Sequence, residues 1–152
     1  MDTKDIILKI KGKQFIGEES EGNVEFVTNG RLYRRNGATY LVYEDSELSG
    51  FPGCTTTIRL DGDSIRMKRY GKDAGYDTGM EFRKGKRLTS QYDTPYGSFA
   101  MEVMTNGVRN DLSEKGTGFI SIDYDLSIEG LAEGRNALEI EVCENPQDAG
   151  GQ

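Results

Sequence analysis

The chain has 152 residues, of which 35% are hydrophobic, and this suits one domain around one core. Its net charge of −7 argues against a general nucleic-acid binder, because phosphate contacts need a basic surface. The sequence contains no histidine, which excludes the nucleophile systems and metal sites that depend on an imidazole. Cys54 and Cys143 are too few for a disulfide framework and lack metal-site spacing.

The apolar residues follow the two-residue period of β-strands along almost the whole chain. Residues 5–11 form the first predicted strand. Residues 23–35 form the second, and we expect a β-bulge at Asn29-Gly30 to interrupt it.

The next element is a tight hairpin at Asn36-Gly37, because both central positions of such a turn need positive φ. It places Arg35 opposite Ala38. The pattern leaves the inward face of residues 31–45 open between two sets of side chains: Leu32, Leu41 and Tyr43, or Tyr33, Tyr40 and Val42.

A second two-residue turn is predicted at Asp61-Gly62, after a strand that runs from Cys54 to Leu60. This turn places Cys54 opposite Arg69. Composition indicates which face is buried, and Arg69 falls on the inward side together with Thr56, Ile58, Ile65 and Met67.

The third hairpin is predicted at Arg83-Lys84-Gly85, with Gly85 in the left-handed position. A three-residue turn places apolar side chains opposite apolar ones and charged side chains opposite charged ones across the two strands. The expected pairs are Met80 with Leu88 and Glu81 with Arg87.

Residues 92–108 contain the densest local motif, Thr94-Pro95-Tyr96-Gly97. The candidate inward residues before this motif have even numbers (Leu88, Ser90 and Tyr92), and those after it have odd numbers (Phe99, Met101 and Val103). Because side chains alternate between the two faces, one continuous strand cannot place both sets on the same face. We therefore predict a four-residue hairpin loop at 94–97, with Tyr92 opposite Phe99 and Tyr96 at the tip.

Three further features complete the predicted strands: a bulge at Asn106-Gly107, a turn at Glu114-Lys115-Gly116, and alternating strands over residues 117–129 and 138–142. The pattern predicts an all-β fold, a single antiparallel meander β-barrel of about 8–10 strands. We expect this domain to span residues 1–144, with the last strand beside the first, and residues 145–152 to form a flexible polar tail.

Five short segments occur in an order that resembles the bacterial DUF1934 family, the YwiB-like β-barrel proteins: Tyr43-Glu44-Asp45, residues 55–58, Arg69-Tyr70-Gly71, residues 92–97 and Val103-Met104-Thr105. The resemblance covers nearly the whole chain. It implies a calycin, or lipocalin-like, barrel around an interior cavity. It carries over no catalytic residue, and it suggests small-ligand binding by analogy of fold alone.

Loop lengths predict where a ligand would enter. The loops near residues 17–22, 47–53, 71–76, 94–97 and 130–135 share one end of the meander, and all but the 94–97 turn are long, whereas the turns at the other end are tight. At this mouth we predict a pocket for a small, partly apolar or anionic ligand, in which an arginine pairs with the anion and tyrosines supply rings and hydroxyls. The candidate ligand-binding residues are Arg69, Ser90, Tyr92, Tyr96, Phe99 and Glu44.

The main alternative is a structural or protein-interaction module whose barrel is filled by side chains. In that case Arg69 pairs internally with Glu44 or Asp45. An outer basic cluster would then dock an acidic partner or RNA: Arg66, Lys68, Arg83, Lys84, Lys86 and Arg87.

An outer acidic stripe (Asp123, Asp125, Glu139 and Glu141) is interpreted as a solvated face rather than a calcium or carbohydrate-cleaving site. No catalytic residue, metal ligand or cofactor is expected, and we predict that the protein is not an enzyme. The N-terminal apolar run is only Ile6-Ile7-Leu8, so we expect a cytoplasmic protein without a membrane partner. The sequence leaves homo-oligomer formation open.

Overall fold

The computed structural model describes residues 3–16, 19–46, 51–71, 73–130 and 132–146. In these described ranges, ten antiparallel strands form one closed barrel, in which each strand pairs with its neighbours in the chain. This confirms the predicted all-β meander barrel. The strands are β1 (Thr3–Ile16), β2 (Glu19–Arg35), β3 (Ala38–Glu44), β4 (Thr55–Asp61), β5 (Ser64–Gly71), β6 (Tyr76–Arg83), β7 (Arg87–Thr94), β8 (Gly97–Leu112), β9 (Gly118–Ile128) and β10 (Ala132–Glu144).

The barrel closes where β10 pairs with β1. This ladder runs without a register shift from the pair of Ile6 and Glu144 to the pair of Phe15 and Arg135. Closure removes the free edges that the first and last strands of an open sheet would expose. The end of β10 and the predicted tail meet at residue 145, and most of that tail lies outside the described residues.

Inward-facing apolar side chains fill the barrel below its mouth. The question left open for residues 31–45 is answered, because Leu32, Leu41 and Tyr43 are buried. Tyr33 and Tyr40 lie on the other face, where their rings stack with centroids 4.8 Å apart. The buried core contains Ile6, Leu8, Ile10, Leu32, Leu41, Tyr43, Ile58, Leu60, Ile65, Met67, Phe82, Val103, Ile120, Ile122, Ile140 and Val142.

The hairpin between β4 and β5 differs from its prediction. Asp61 pairs with Ser64, so the turn consists of Gly62 and Asp63. Gly62 has a φ of 59°, which fits a turn with glycine at its first central position rather than its second. The register moves by two residues, so the faces stay as predicted, but the partner of Arg69 is Thr56 and not Cys54.

The hairpin between β6 and β7 also departs from its prediction. The expected pairs of Met80 with Leu88 and Glu81 with Arg87 do not form, and the two strands pair only at Asp77–Asp93 and Thr78–Tyr92. The cause lies in β8. The Gly85 amide donates to the Thr105 carbonyl at 2.9 Å, and the Thr105 amide donates to the Lys86 carbonyl at 3.2 Å.

The hairpin between β7 and β8 confirms the parity argument, since Tyr92 pairs with Phe99 and Asp93 with Ser98. Its turn is shorter than predicted, because Thr94 also pairs with Gly97. The Tyr96 amide donates to Thr94 Oγ1 at 3.0 Å, so the threonine hydroxyl supports the turn.

One predicted bulge is present and one is wrong. The pairing of β8 with β9 shifts between Thr105 and Gly107, as expected. The pairing of β2 is regular at Asn29-Gly30, and the shift between β1 and β2 lies at Gln14 and Phe15 instead.

Gly30 is explained by close packing rather than by a bulge. A Cβ atom built there would lie 2.8 Å from the Val42 carbonyl oxygen and 2.9 Å from Leu8 Cδ1. The carbonyl belongs to the backbone of β3 and cannot turn away. The glycine therefore allows β2 to lie against both neighbours.

We predict that Gly30→Ala destabilises the barrel by about 1–3 kcal/mol, because the methyl group overpacks this contact. Urea unfolding measures the change. The control is Gly107→Ala, since a Cβ there meets nothing within 4 Å. Equal stability of the two variants would contradict the packing explanation.

Candidate functional site

Arg69 lies near the end of β5, at the long-loop end of the barrel, and is held by two polar side chains. Its Nε donates to Thr56 Oγ1 at 3.1 Å. The Thr56 hydroxyl donates to Asp45 Oδ2 at 2.5 Å, and that oxygen lies 3.5 Å from Arg69 Nε. The Asp45 side chain is fully buried, whereas that of Arg69 is 20% exposed. Of the two partners considered for an internal ion pair, Asp45 is therefore the one that Arg69 has.

An aromatic ring covers the Arg69 guanidinium. Its Cζ lies 4.0 Å from the centroid of the Phe51 ring, which is within the range of a cation–π interaction. Phe51 in turn meets Tyr76 edge to face, with centroids 5.4 Å apart. The buried Tyr43 side chain is a further hydrogen-bonding neighbour of this guanidinium.

Several neighbours of Arg69 are held in their neutral, protonated forms. Burial raises the pKa of Tyr43, and the positive charge of Arg69 lowers it by less. Burial is also the largest cause that raises the pKa of the Cys54 thiol, followed by the negative charge of Asp45. Burial raises the pKa of Tyr92 in the same way. At neutral pH these groups offer hydrogen bonds rather than an activated nucleophile.

Two buried oxygens at this end have no hydrogen-bond partner among the described residues: Asp45 Oδ1 and Thr78 Oγ1. Thr78 pairs with Arg69 on β5 and with Tyr92 on β7, so it lies between them in the sheet. A buried polar atom without a partner costs about 1–3 kcal/mol. Both of these oxygens belong to residues that neighbour Arg69, so a ligand bound beside Arg69 could supply their missing hydrogen bonds.

A cavity of about 270 Å³ lies at the same end of the barrel, against the opposite wall. We call it the mouth cup. Towards this end of the barrel, the inward-facing positions of β1 and β10 change from apolar residues to small or polar ones. A Cβ built on Gly12 meets nothing within 4 Å, so the glycine opens the cup directly. Its inward-facing lining is Gly12, Gln14, Gly22, Val24, Tyr124, Asn136 and Leu138.

Tyr124 lies between the mouth cup and Arg69. It pairs with Asn136 in the ladder and packs against Phe82, with ring centroids 4.8 Å apart. Burial raises its pKa to about 12, while the positive charge of Arg69 acts in the opposite direction. The tyrosine hydroxyl is therefore within electrostatic reach of the guanidinium, and the two parts belong to one mouth.

The six candidate residues separate into two groups. Arg69, Tyr92 and Phe99 come together at the mouth, where Thr78 joins Arg69 to Tyr92 and Phe99 pairs with Tyr92. The other three lie at exposed positions: Glu44, Ser90 and Tyr96, whose ring is 89% exposed on the hairpin tip.

Sequence reasoning missed the polar residues of the mouth cup. Gln14 and Asn136 lie at inward-facing positions of their strands, beyond the last apolar residue of the alternating pattern. The change from apolar to polar residues at these positions is the signal that could have located the mouth cup. The prediction of a loop at 17–22 concealed this signal, because residues 19–22 belong to β2, where Glu19, Ser20 and Gly22 pair with β1. Residues 17–18, and residues 47–50 of the next predicted loop, lie outside the described residues.

The acidic stripe is partly neutralised by neighbours. Arg135 Nη2 donates to Asp123 Oδ2 at 2.6 Å, and Asn106 Nδ2 donates to Asp123 Oδ1 at 3.2 Å. Hydrogen bonding from Arg135 lowers the pKa of Asp123. Across the described ranges, no group of three or more acidic or cysteine side chains is placed to hold a metal ion.

Fold and site define a closed ten-stranded meander barrel with a polar, partly open mouth. The chain belongs to the family described as domain of unknown function DUF1934, whose model matches residues 8–140. Its structure is similar to that of the ywiB protein from Bacillus subtilis, with a TM-score of 0.78 and 21% identity over 94% of this chain and 93% of that one. At this identity the likeness shows the fold alone.

A search of curated proteins finds no match. Among the described residues, no helix has the length and apolar character needed to cross a membrane.

We predict that Asp45→Asn destabilises the barrel by about 2–3 kcal/mol, because it leaves Arg69 without its counter-ion. The expected value is below the roughly 3–5 kcal/mol of a fully buried pair, since Arg69 stays partly exposed. The control is the neighbouring Glu44→Gln, an exposed position where a change within about 0.5 kcal/mol is expected. Equal unfolding free energies in urea would show that Asp45 does not hold Arg69.

Proposed function

We propose that this protein is a non-enzymatic barrel that binds a small, partly apolar molecule with an anionic group at its mouth. The mouth cup is the observation that carries the proposal. Gly12 leaves open space in a position where the same strand, lower in the barrel, carries Ile10 and Leu8. A barrel that needed only a filled core would gain from an apolar side chain there.

The lining of the mouth cup suits such a ligand. Leu138, Val24 and the ring of Tyr124 offer apolar surface, and Val24 is 49% exposed. Gln14 and Asn136 add amides that can orient a polar group. The volume lies just below the range of about 300–1,000 Å³ that is usual for small-molecule pockets, which favours a small ligand.

Arg69 supports the anionic part of the proposal. Asp45 offsets its charge, but the Arg69 side chain stays 20% exposed, and a guanidinium can donate to both oxygens of a carboxylate. Thr78, whose hydroxyl has no partner in the described part of the chain, lies opposite Arg69 in the sheet. A calycin-like relationship, which the family resemblance suggests, favours ligand binding at the mouth as well, by analogy of fold.

We also propose the cytoplasm as the compartment. Cys54 and Cys143 are both free thiols, which is usual where glutathione keeps proteins reduced.

The second candidate is a structural or interaction module. The filled core below the mouth favours it, since apolar side chains from nine of the ten strands meet there or pack against it. A module of this kind would leave the mouth cup to water.

We predict that octanoate binds at the mouth and that octan-1-ol, which lacks the anion, binds at least tenfold more weakly. Gly12→Leu should abolish the binding of both, because the new side chain fills the mouth cup. Isothermal titration calorimetry measures the affinities. Arg69→Gln should weaken octanoate binding and leave octan-1-ol unchanged.

The matched control is Gly107→Leu, which makes the same substitution at another glycine with open space around its Cβ position. Its pairing with Asp123 places it on the outer wall. Equal loss of binding in both leucine variants would contradict the mouth as the binding site. Failure of both compounds to bind the unmodified protein would favour the filled module.

A further inference from the structure

We infer that the split between β6 and β7 is a docking site for an extended acidic segment of a partner protein, which adds to the free edge of β7 as a further strand. The split lies near the tight-turn end of the barrel, away from the mouth. The inference therefore stands apart from the ligand proposed above.

The two strands separate for most of their length. They are neighbours in the closed barrel, yet they pair only at Asp77–Asp93 and Thr78–Tyr92, beside the mouth. Residues 79–83 of β6 and 87–91 of β7 form no ladder pairs with one another. The ladder between β5 and β6, in contrast, runs through all eight residues of β6.

The split is fixed by hydrogen bonds and is not a frayed end. Gly85 and Lys86 exchange backbone hydrogen bonds with Thr105 on β8, which draws the turn away from the line of β6. β7 stays bound to β8 along residues 87–94. One edge of β7 is thus held in a strand conformation by β8, while the edge that faces β6 forms no ladder pairs along residues 87–91.

The side chains of β7 leave this edge accessible. Thr89, Ser90 and Gln91 are all exposed, although Ser90 has the inward parity of its strand. Natural proteins usually cover or shorten such an edge, because its unpaired amides and carbonyls readily pair with another chain. Strand addition of this kind takes its affinity from the backbone and its selectivity from side chains.

Local charge indicates an acidic partner. The chain as a whole carries −7, but Arg83 ends β6, and Lys84 and Lys86 lie in the turn that follows it. Arg83 pairs with Glu81, whereas no salt bridge to Lys84 or Lys86 occurs in the described part of the chain. Both lysines are exposed beside the free edge. A segment with alternating acidic residues would pair with them.

Strand direction further defines the partner. β6 and β7 run in opposite directions, so one added strand is antiparallel to only one of them. We assign the added strand to the edge of β7, because the side chains of β7 are more exposed than those of β6. We expect it to run antiparallel to β7, since antiparallel pairing is slightly more stable per residue than parallel pairing.

The test uses a fluorescein-labelled decapeptide of alternating glutamate and valine, and fluorescence anisotropy measures its binding to the full chain. The same peptide, N-methylated at alternate residues, lacks the amides needed for strand pairing. We expect the unmodified peptide to bind and the methylated peptide to bind at least tenfold more weakly. Equal binding of the two would overturn strand addition.

A pair of variants tests the position. Lys84→Gln with Lys86→Gln should weaken peptide binding about five- to tenfold. Lys9→Gln with Lys11→Gln changes the net charge equally on β1 and should leave binding unchanged. Equal effects of the two double variants would overturn the assignment to the split.

Two other outcomes also contradict the inference. Absence of binding at millimolar peptide in low salt would remove it. Decauridylate that displaces the peptide through Lys84 and Lys86, and binds as tightly, would identify the basic turn as an RNA contact instead.

Discussion

Closure of β10 onto β1 is the interaction on which the rest of the barrel depends. The ladder between them is unbroken, and it sets Ile10 opposite Ile140 and Leu8 opposite Val142 on the inner face. Because side chains alternate with period two, a slip of one residue in this ladder would turn both apolar series outward. The closed ring in turn lets other parts of the wall be less complete, at the split between β6 and β7 and at the mouth.

The sequence predicts those parts of the fold that local chemistry determines. Asn36-Gly37 defines its hairpin through positive φ at both positions, and the parity of Tyr92 against Phe99 requires a turn between them. Prediction fails where a distant contact decides. The turn at Gly85 follows hydrogen bonds to Thr105, and Gly30 is required by the Val42 carbonyl across the sheet.

The candidate site shows the same division. Arg69 is an inward charge on an otherwise apolar face, so the sequence alone singles it out. Its choice of Asp45 over Glu44 follows from the inward face of β3, because Asp45 continues the parity of Leu41 and Tyr43, and the sequence pattern leaves that face open. The mouth cup arises from four neighbouring strands together, and the relative positions of β2, β1, β10 and β9 along the barrel become visible only when their ladders are known.

The central claim is that the barrel is firmly closed at β1 and β10 and open between β6 and β7. Native-state hydrogen exchange of the unmodified protein tests it most directly, residue by residue. The account predicts slowest exchange for amides in the ladder of β1 with β10. It predicts fast exchange for the alternate amides of residues 79–83 and 87–91 that face the split. Comparable protection of both sets would contradict it.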